Sequence, residues 1–398
     1  MIKRNLYLDK ISPYINKDIV KVLIGIRRSG KTVVLSQIKE MLTAREIPDS
    51  NIIYINFESM KYSSLKTADA LYEYIDGKIN SIQGKTYIML DEIQEVQDWQ
   101  RAVNSFRVDY DCDIYITGSN SKLLSGELAT YLAGRYIKFL ILPFTLSEIK
   151  AIRIENNTYK NDNELFADYL KYGGMPQRFS MPTPDSTETY LRDVSESVIL
   201  KDIITRHSIK DIGILKNLIY FMLDNIGNPF SIRKISGMLT SMGHKVSTAT
   251  ISSYLDYLQE AYLIFSVSRY DIKGKNLLSS TEKYYAIDPG LRNINKKSEQ
   301  LDSSKLYENA VYLKMLSKGY EIQVGKLNDN EIDFICYKGT EKIYIQVAYL
   351  INEHDIKREF GNLEKIPDNY PKWVISGDIA DLSHNGIKHL NIIDFLLS

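Results

Sequence analysis

Short, almost wholly apolar runs alternate with stretches of helical period through the first part of the chain. "IVKVLI" (19–24), "NIIYINFE" (51–58), Tyr87 to Leu90, "DIYITGSNS" (113–121) and "YIKFLILP" (136–143) have the length and continuity of strands buried on both faces. Between the first two lies "TVVLSQIKEMLTAR" (32–45), where Val34, Ile38, Met41 and Leu42 fall on one side of a helix. Apolar strands separated by helices predict an α/β core with a parallel sheet.

The pattern changes after Pro143. Residues 144–226 read as helices, with Gly173-Gly174 ending one of them and Pro176 preventing its resumption. The helix from Tyr190 to His207 is apolar on one face and is expected to pack. Residues 229–272 run short helix, turn, longer helix, strand, which is the winged-helix order. In that fold the start of the second helix enters a major groove. Here it carries Ser247, Thr248, Thr250, Ser252, Ser253 and Tyr254, with Arg233, Lys234 and Lys245 near enough for phosphates. The competing reading is that this segment packs between the flanking domains. Asp288-Pro289-Gly290 is a turn, followed by a helix with Glu308 and the strands "YEIQVGKL", "NEIDFICYK" and "EKIYIQVAYLI".

Length and charge narrow the partners. At 398 residues, two to four domains are expected. Fifty basic residues balance fifty acidic ones, so nucleic-acid binding requires a local patch rather than a global field. The start has no secretory apolar run and no window reaches membrane-spanning length, which argues against a secretory signal and a membrane span; no membrane partner and a cytoplasmic protein are expected. Cys112 and Cys336 are far apart and fit a reducing compartment, and the five histidines have no zinc-ligand spacing.

The chemistry begins at "GIRRSGKT", which fits G-x-x-x-x-G-K-[ST] from Gly25 to Thr32. It lies between a strand and a helix, as phosphate binding requires. Glycines let backbone N–H groups curl around an anion, and the helix start adds its positive end. Gly25, Arg28, Ser29 and Gly30, with Lys31, Thr32 and Val33, form this candidate ATP cradle. Lys31 reaches the β- and γ-phosphates, and Thr32 ligates Mg2+. "YIMLDEIQ" then ends a strand in Asp91, a metal ligand, and Glu92, a general base for the attacking water. Asn56 either holds Glu92 idle or is a plain polar strand end. Asn120 closes the fourth strand, where a polar residue orients the lytic water. Arg135 precedes the fifth; it serves either a neighbouring subunit's γ-phosphate, implying a homo-oligomer, or a salt bridge at the sheet edge.

"GIRRSGKT", "MLDEIQ", "ITGSNS", "LAGRY", "LPFTLSEI" and "YGGMPQRF" together resemble a prokaryotic group of AAA-type P-loop ATPases. Its members carry a C-terminal domain of unknown function with a restriction-endonuclease-like fold. The resemblance implies a helical lid over the nucleotide at 148–226, after an ATPase core at 1–147. A winged-helix-like domain at 227–298 and a nuclease-like domain at 299–398 complete the division. An early helical Glu, a strand Asp and an E-x-K strand mark active nucleases of that fold. This chain keeps Glu308 and Asp333 but has Gln346 and Ala348 where Glu and Lys are expected. Gln lacks the charge magnesium prefers and Ala has no chemistry, so a scaffold without cleavage is expected. The last hundred residues are net acidic. The expected function is an ATP-driven conformational switch associated with DNA; the alternative is a scaffold or signalling ATPase whose C-terminal half binds protein.

Overall fold

A computed structural model describes residues 2–121, 132, 134–241, 243, 246–296 and 302–398. Most of the stretch 121–136 and Lys245 lie outside the described residues. The chain divides into two compact units, one essentially residues 1–142 and the other 143–398, with residues 260–262 assigned to the first.

In the first unit, β1 (Val20–Ile24), β2 (Ile52–Asn56), β3 (Thr86–Asp91), β4 (Cys112–Gly118) and β5 (Tyr136–Leu140) form one sheet in the order β2-β3-β4-β1-β5. Every neighbouring pair is parallel. All five residues of β1 are buried, and apart from Lys21, which pairs with Asp113, all are apolar. Helices α1 (Asn5–Ile11), α2 (Lys31–Thr43), α3 (Ala68–Ile79) and α4 (Trp99–Asp109) accompany the sheet. One core joins Tyr7, Leu8 and Ile11 of α1 to Val34, Leu35 and Ile38 of α2 over Leu23, Met89 and Tyr115 of the strands. Because β4 lies between β1 and β3, the end of β4 stands between the phosphate loop and the acidic pair.

The second unit holds an eight-stranded mixed sheet, in the order β13-β12-β11-β10-β9-β7-β8-β6. Its members are β6 (Pro229–Phe230), β7 (Ile264–Asp271), β8 (Asn276–Ala286), β9 (Glu321–Leu327), β10 (Asn330–Lys338), β11 (Glu341–Val347), β12 (Lys372–Ser376) and β13 (Lys388–Asn391). β7 pairs in parallel with β9 through Arg269↔Val324 and Tyr270↔Gly325. The strands of residues 229–286 and those of residues 321–391 therefore share one hydrogen-bonded sheet. Helices Leu146–Glu155 and Asp162–Tyr172 bury Ile149, Leu165, Phe166 and Tyr169 in the same core as Tyr285, Val311 and Phe334.

Two glycine motifs interlock in this unit. Asp288 Oδ2 accepts from Gly174 N at 2.6 Å and its Oδ1 from Leu291 N at 3.0 Å. A Cβ on Gly290 would come within 2.1 Å of the Tyr172 carbonyl oxygen, so "YGG" and "DPG" meet only without side chains. The turn expected at Asp288 is the cap of a short helix, Pro289–Ile294. The helix Pro184–Ser197 continues as a π-helical segment, Val198–Thr205, with Ile199 and Ile203 buried.

Candidate active site

The carboxyl ends of the parallel strands bring the sequence motifs together. Gly25 follows β1 at φ +148°, and a Cβ there would lie 2.3 Å from the Ile141 carbonyl oxygen. Gly30 caps α2 at φ +99°. Between them Arg28 also has a positive φ, 65°, and its side chain is exposed. Ser29 is fully buried, while Thr32 and Val33 of the first helical turn are half-buried. Lys31 is buried; its Nζ donates to Gly25 O at 3.1 Å and Ile26 O at 3.2 Å, and lies 3.6 Å from Glu92 Oε1.

Asp91 is fully buried at the end of β3 and is held from the strands on both sides, β4 and β2. Thr117 Oγ1 of β4 donates to Asp91 Oδ1 at 2.6 Å. Tyr54 OH and Asn56 Nδ2 of β2 donate to Oδ2 at 3.1 and 3.0 Å. The Thr32 hydroxyl also hydrogen-bonds this carboxyl. Burial pushes the Asp91 pKa above the ordinary carboxylate value, and the Thr117 and Thr32 hydroxyls oppose that rise without cancelling it.

Glu92 leaves the strand at φ +55°, in the left-handed region that side-chain-bearing residues rarely adopt. Its N–H donates to Thr117 Oγ1 at 2.9 Å, and Gln94 Nε2 donates to its Oε2. Burial pushes the Glu92 carboxyl up, but the Lys31 ammonium, the Gln94 amide and Arg27 outweigh it, and the net shift is downward. The two adjacent acids are thus driven apart, Asp91 up and Glu92 down.

The partner of Asn56 differs from the first alternative drawn from the sequence. In register it stands opposite Asp91, so it bonds that residue. Gln94 holds Glu92 instead; its place two residues after the acid was the available signal. Asn120 is buried beyond the end of β4. Arg135 lies at the entry to β5 with its side chain exposed and forms no ion pair with the described residues. Its carbonyl accepts from Val20 N at 2.9 Å, which fixes the backbone beside β1.

In the second unit, Glu308, Asp333 and Gln346 also come together. Gln346 Oε1 accepts from Asp333 N at 3.4 Å, and Asp333 Oδ2 accepts from Val347 N at 2.8 Å. Sequence reading missed the cation among them. Lys283 of β8, almost fully buried, places Nζ 2.9 Å from Glu308 Oε1, 2.7 Å from Glu331 Oε1 and 3.9 Å from Asp333 Oδ1. Burial disfavours the ammonium, yet Glu308, Asp333 and Glu331 prevail and keep it charged. Burial and then Glu308 push the Asp333 carboxyl well above its ordinary range. Among the described residues, no group of three or more His, Cys, Asp or Glu side chains is arranged to hold a metal. Within residues 229–272 Tyr254 is buried, whereas Arg233, Lys234, Ser247 and Thr248 are exposed. Among the described residues no helix is long and apolar enough to cross a membrane.

Residues 17–150 match the AAA domain family, and residues 163–301 match a domain of unknown function, DUF8612. An uncharacterized protein of Haemophilus influenzae is 40% identical over 398 residues, covering 100% of this chain and 99% of its own. Uncharacterized protein MJ1544 of Methanocaldococcus jannaschii is 32% identical, over 99% of this chain and 91% of its own. Among solved structures, the chain is similar to the Walker-type ATPase paby2304 of Pyrococcus abyssi, with a TM-score of 0.52. That match has 15% identity and covers 74% of this chain and 96% of that one, a likeness of fold.

Proposed function

The chain belongs to the family of AAA-domain proteins that includes these Haemophilus and Methanocaldococcus relatives, and from that premise we propose that it binds ATP and hydrolyses it to ADP and phosphate. The observation that carries this reading is the pairing of roles at the end of β3. Asp91 is locked by three neighbours, while Glu92, beside it, is turned out by its left-handed backbone and kept ionised. A locked acid suits a ligand role; an ionised one suits a base that accepts a proton from water. Lys31 exchanges its carbonyls at Gly25 and Ile26 for phosphate oxygens, and the backbone from Ser29 to Val33 supports the anion.

The oxygen-only set of Thr32 and Asp91 fits magnesium, a hard cation that keeps few protein ligands. Bound there, the metal would supply charge to the phosphates. Asn120 orients the water, and the exposed Arg135 is available to a neighbouring copy's γ-phosphate, which makes the active form a homo-oligomer. Phosphate release by the wild-type protein and by Glu92→Gln is the direct test. Equal rates from the two would refute the assignment of the base.

We further propose that hydrolysis drives a conformational switch associated with DNA. The support is the exposed polar start of the helix Thr248–Glu260 and the nearby Arg233 and Lys234. In this reading residues 148–226 act as the lid, 227–298 as the DNA-facing segment and 299–398 as a nuclease-like scaffold without cleavage. One observation favours the scaffold alternative: Tyr257 on that same helix stacks on His207 at 3.6 Å, an internal packing role. Both readings place the protein in the cytoplasm, consistent with two free cysteines.

A further inference from the structure

Arg4 is 1% exposed, although arginine seldom is, and it stands just before α1. Its guanidinium spans two carbonyls: Nη1 donates to Ser29 O at 3.2 Å and Nη2 to Leu142 O at 2.9 Å. The group is itself held in place. The Arg4 amide donates to Gln37 Oε1 of α2 at 3.0 Å, and the guanidinium lies 4.7 Å from the centre of the Tyr7 ring. Tyr7 OH accepts from Leu142 N at 2.9 Å, so the same strand end is fixed from both sides of its residue.

We propose that Arg4 is a positioning residue for the phosphate cradle: by holding the Ser29 carbonyl inward, it aims the Gly30 N–H at the nucleotide's phosphates. The reasoning is geometric. The chain has no cis peptide among its described residues, and in a trans peptide the carbonyl and the following N–H point in opposite directions. Fixing Ser29 O on Arg4 therefore fixes Gly30 N–H on the other side of the plane. A carbonyl free to rotate could turn its negative end toward the phosphates and withdraw a donor. Gly30, at φ +99°, has the freedom to allow that flip, so the loop needs an external hold. Arginine suits the task because its planar fork donates in two directions at once, which a lysine ammonium does with less fixed geometry. The reading rests on the proposed ATP site and adds a residue outside the phosphate-binding motif.

The test uses the full chain as wild type, Arg4→Met, Arg4→Lys, Tyr7→Phe and Lys31→Ala. Affinity for N-methylanthraniloyl-ATP is titrated well below each melting temperature, with competition by inorganic tripolyphosphate and parallel measurement of KM and kcat. Arg4→Met and Arg4→Lys are expected to weaken both nucleotide and tripolyphosphate by about 10-fold to 100-fold, the scale of a lost charge-assisted hydrogen bond. KM rises with them and kcat stays close to wild type. Tyr7→Phe lowers the melting temperature with unchanged affinity, since Ser29 O remains held. Wild-type affinity in Arg4→Lys would show that charge rather than orientation matters and would overturn the proposal. So would Arg4 variants that melt early yet bind normally. If Arg4→Met does not fold, Arg4→Lys and the tripolyphosphate competition decide. Wild type that binds no better than Lys31→Ala overturns the ATP reading itself, and this inference with it.

Discussion

The Thr117 hydroxyl donates to Asp91 Oδ1 at 2.6 Å and, with its lone pair, accepts the amide of the next residue, Glu92, at 2.9 Å. One side chain on β4 thus fixes the carboxyl of one acid and the backbone of the other. Thr117→Val keeps the shape and removes both bonds. Turnover should fall by about 10-fold to 100-fold, the worth of a hydrogen bond to a charged group, while Thr117→Ser stays near wild type. Steady-state phosphate release from the two variants separates the outcomes.

Lys31→Ala should abolish ATP binding, because the cradle loses the cation that reaches the phosphates. Glu92→Gln should bind ATP but turn over about 10²–10⁴-fold more slowly, the usual contribution of a general base. Equilibrium binding and single-turnover hydrolysis read these two effects independently.

Gln94 gives the site a pH signature. Its amide is one of the groups that hold the Glu92 carboxyl below its ordinary range against burial. Glu92 acts as base only when ionised, so activity is lost as pH falls through its pKa. Gln94→Ala removes a donor to the carboxylate and raises that pKa. The acid limb of kcat against pH should therefore move to higher pH, with the alkaline limb in place. An unmoved limb would detach Gln94 from the base.

Arg135 is exposed and free of ion pairs to the described residues. If it serves a neighbouring copy, specific activity should rise with protein concentration. Arg135→Ala should then lower turnover by about 10³–10⁵-fold, as expected for an arginine finger, with unchanged ATP affinity. Concentration-independent hydrolysis by a species that sediments as a monomer would count against it.

The full-length protein should leave plasmid and linear DNA intact with magnesium or manganese, because the Lys283 ammonium already sits among Glu308, Glu331 and Asp333. Lys283→Met strands buried carboxylates and should destabilise the second unit by about 3–5 kcal/mol, measured by denaturant unfolding. Cleavage abolished by Asp333→Ala would reverse the reading. DNA that is retained uncut, with affinity falling steeply as salt rises, would support the DNA-associated switch; stimulation of hydrolysis by DNA would support it as well.

What was legible in the sequence followed from local signals. The phosphate loop, its flanking strand and helix, and the Asp91-Glu92 pair each lie within a few consecutive residues, so spacing alone located them. Partnerships across the sheet were less accessible. Asn56 bonds Asp91 because parallel register sets them side by side, and Glu92 escapes it through one left-handed residue. Lys283 of β8 meets Glu308 of the helix Ser303–Ser317 and Glu331 and Asp333 of β10, a meeting of separate elements that strand-by-strand periodicity does not encode. Arg4 is more remote still: 25 residues separate it from Ser29 and 138 from Leu142, with nothing in its neighbours to mark it.

The ladder between β7 and β9 also governs which shortened versions of this protein could survive. A stop codon near residue 300 would delete β9 to β13 and leave β7 with an open edge and an uncovered apolar face. Such an edge recruits other chains, so the fragment would aggregate rather than persist as a smaller folded protein. The reciprocal fragment would expose β9 in the same way. A recombination event joining these segments to a different AAA domain would have to carry residues from both sides of that ladder together, as a single heritable block.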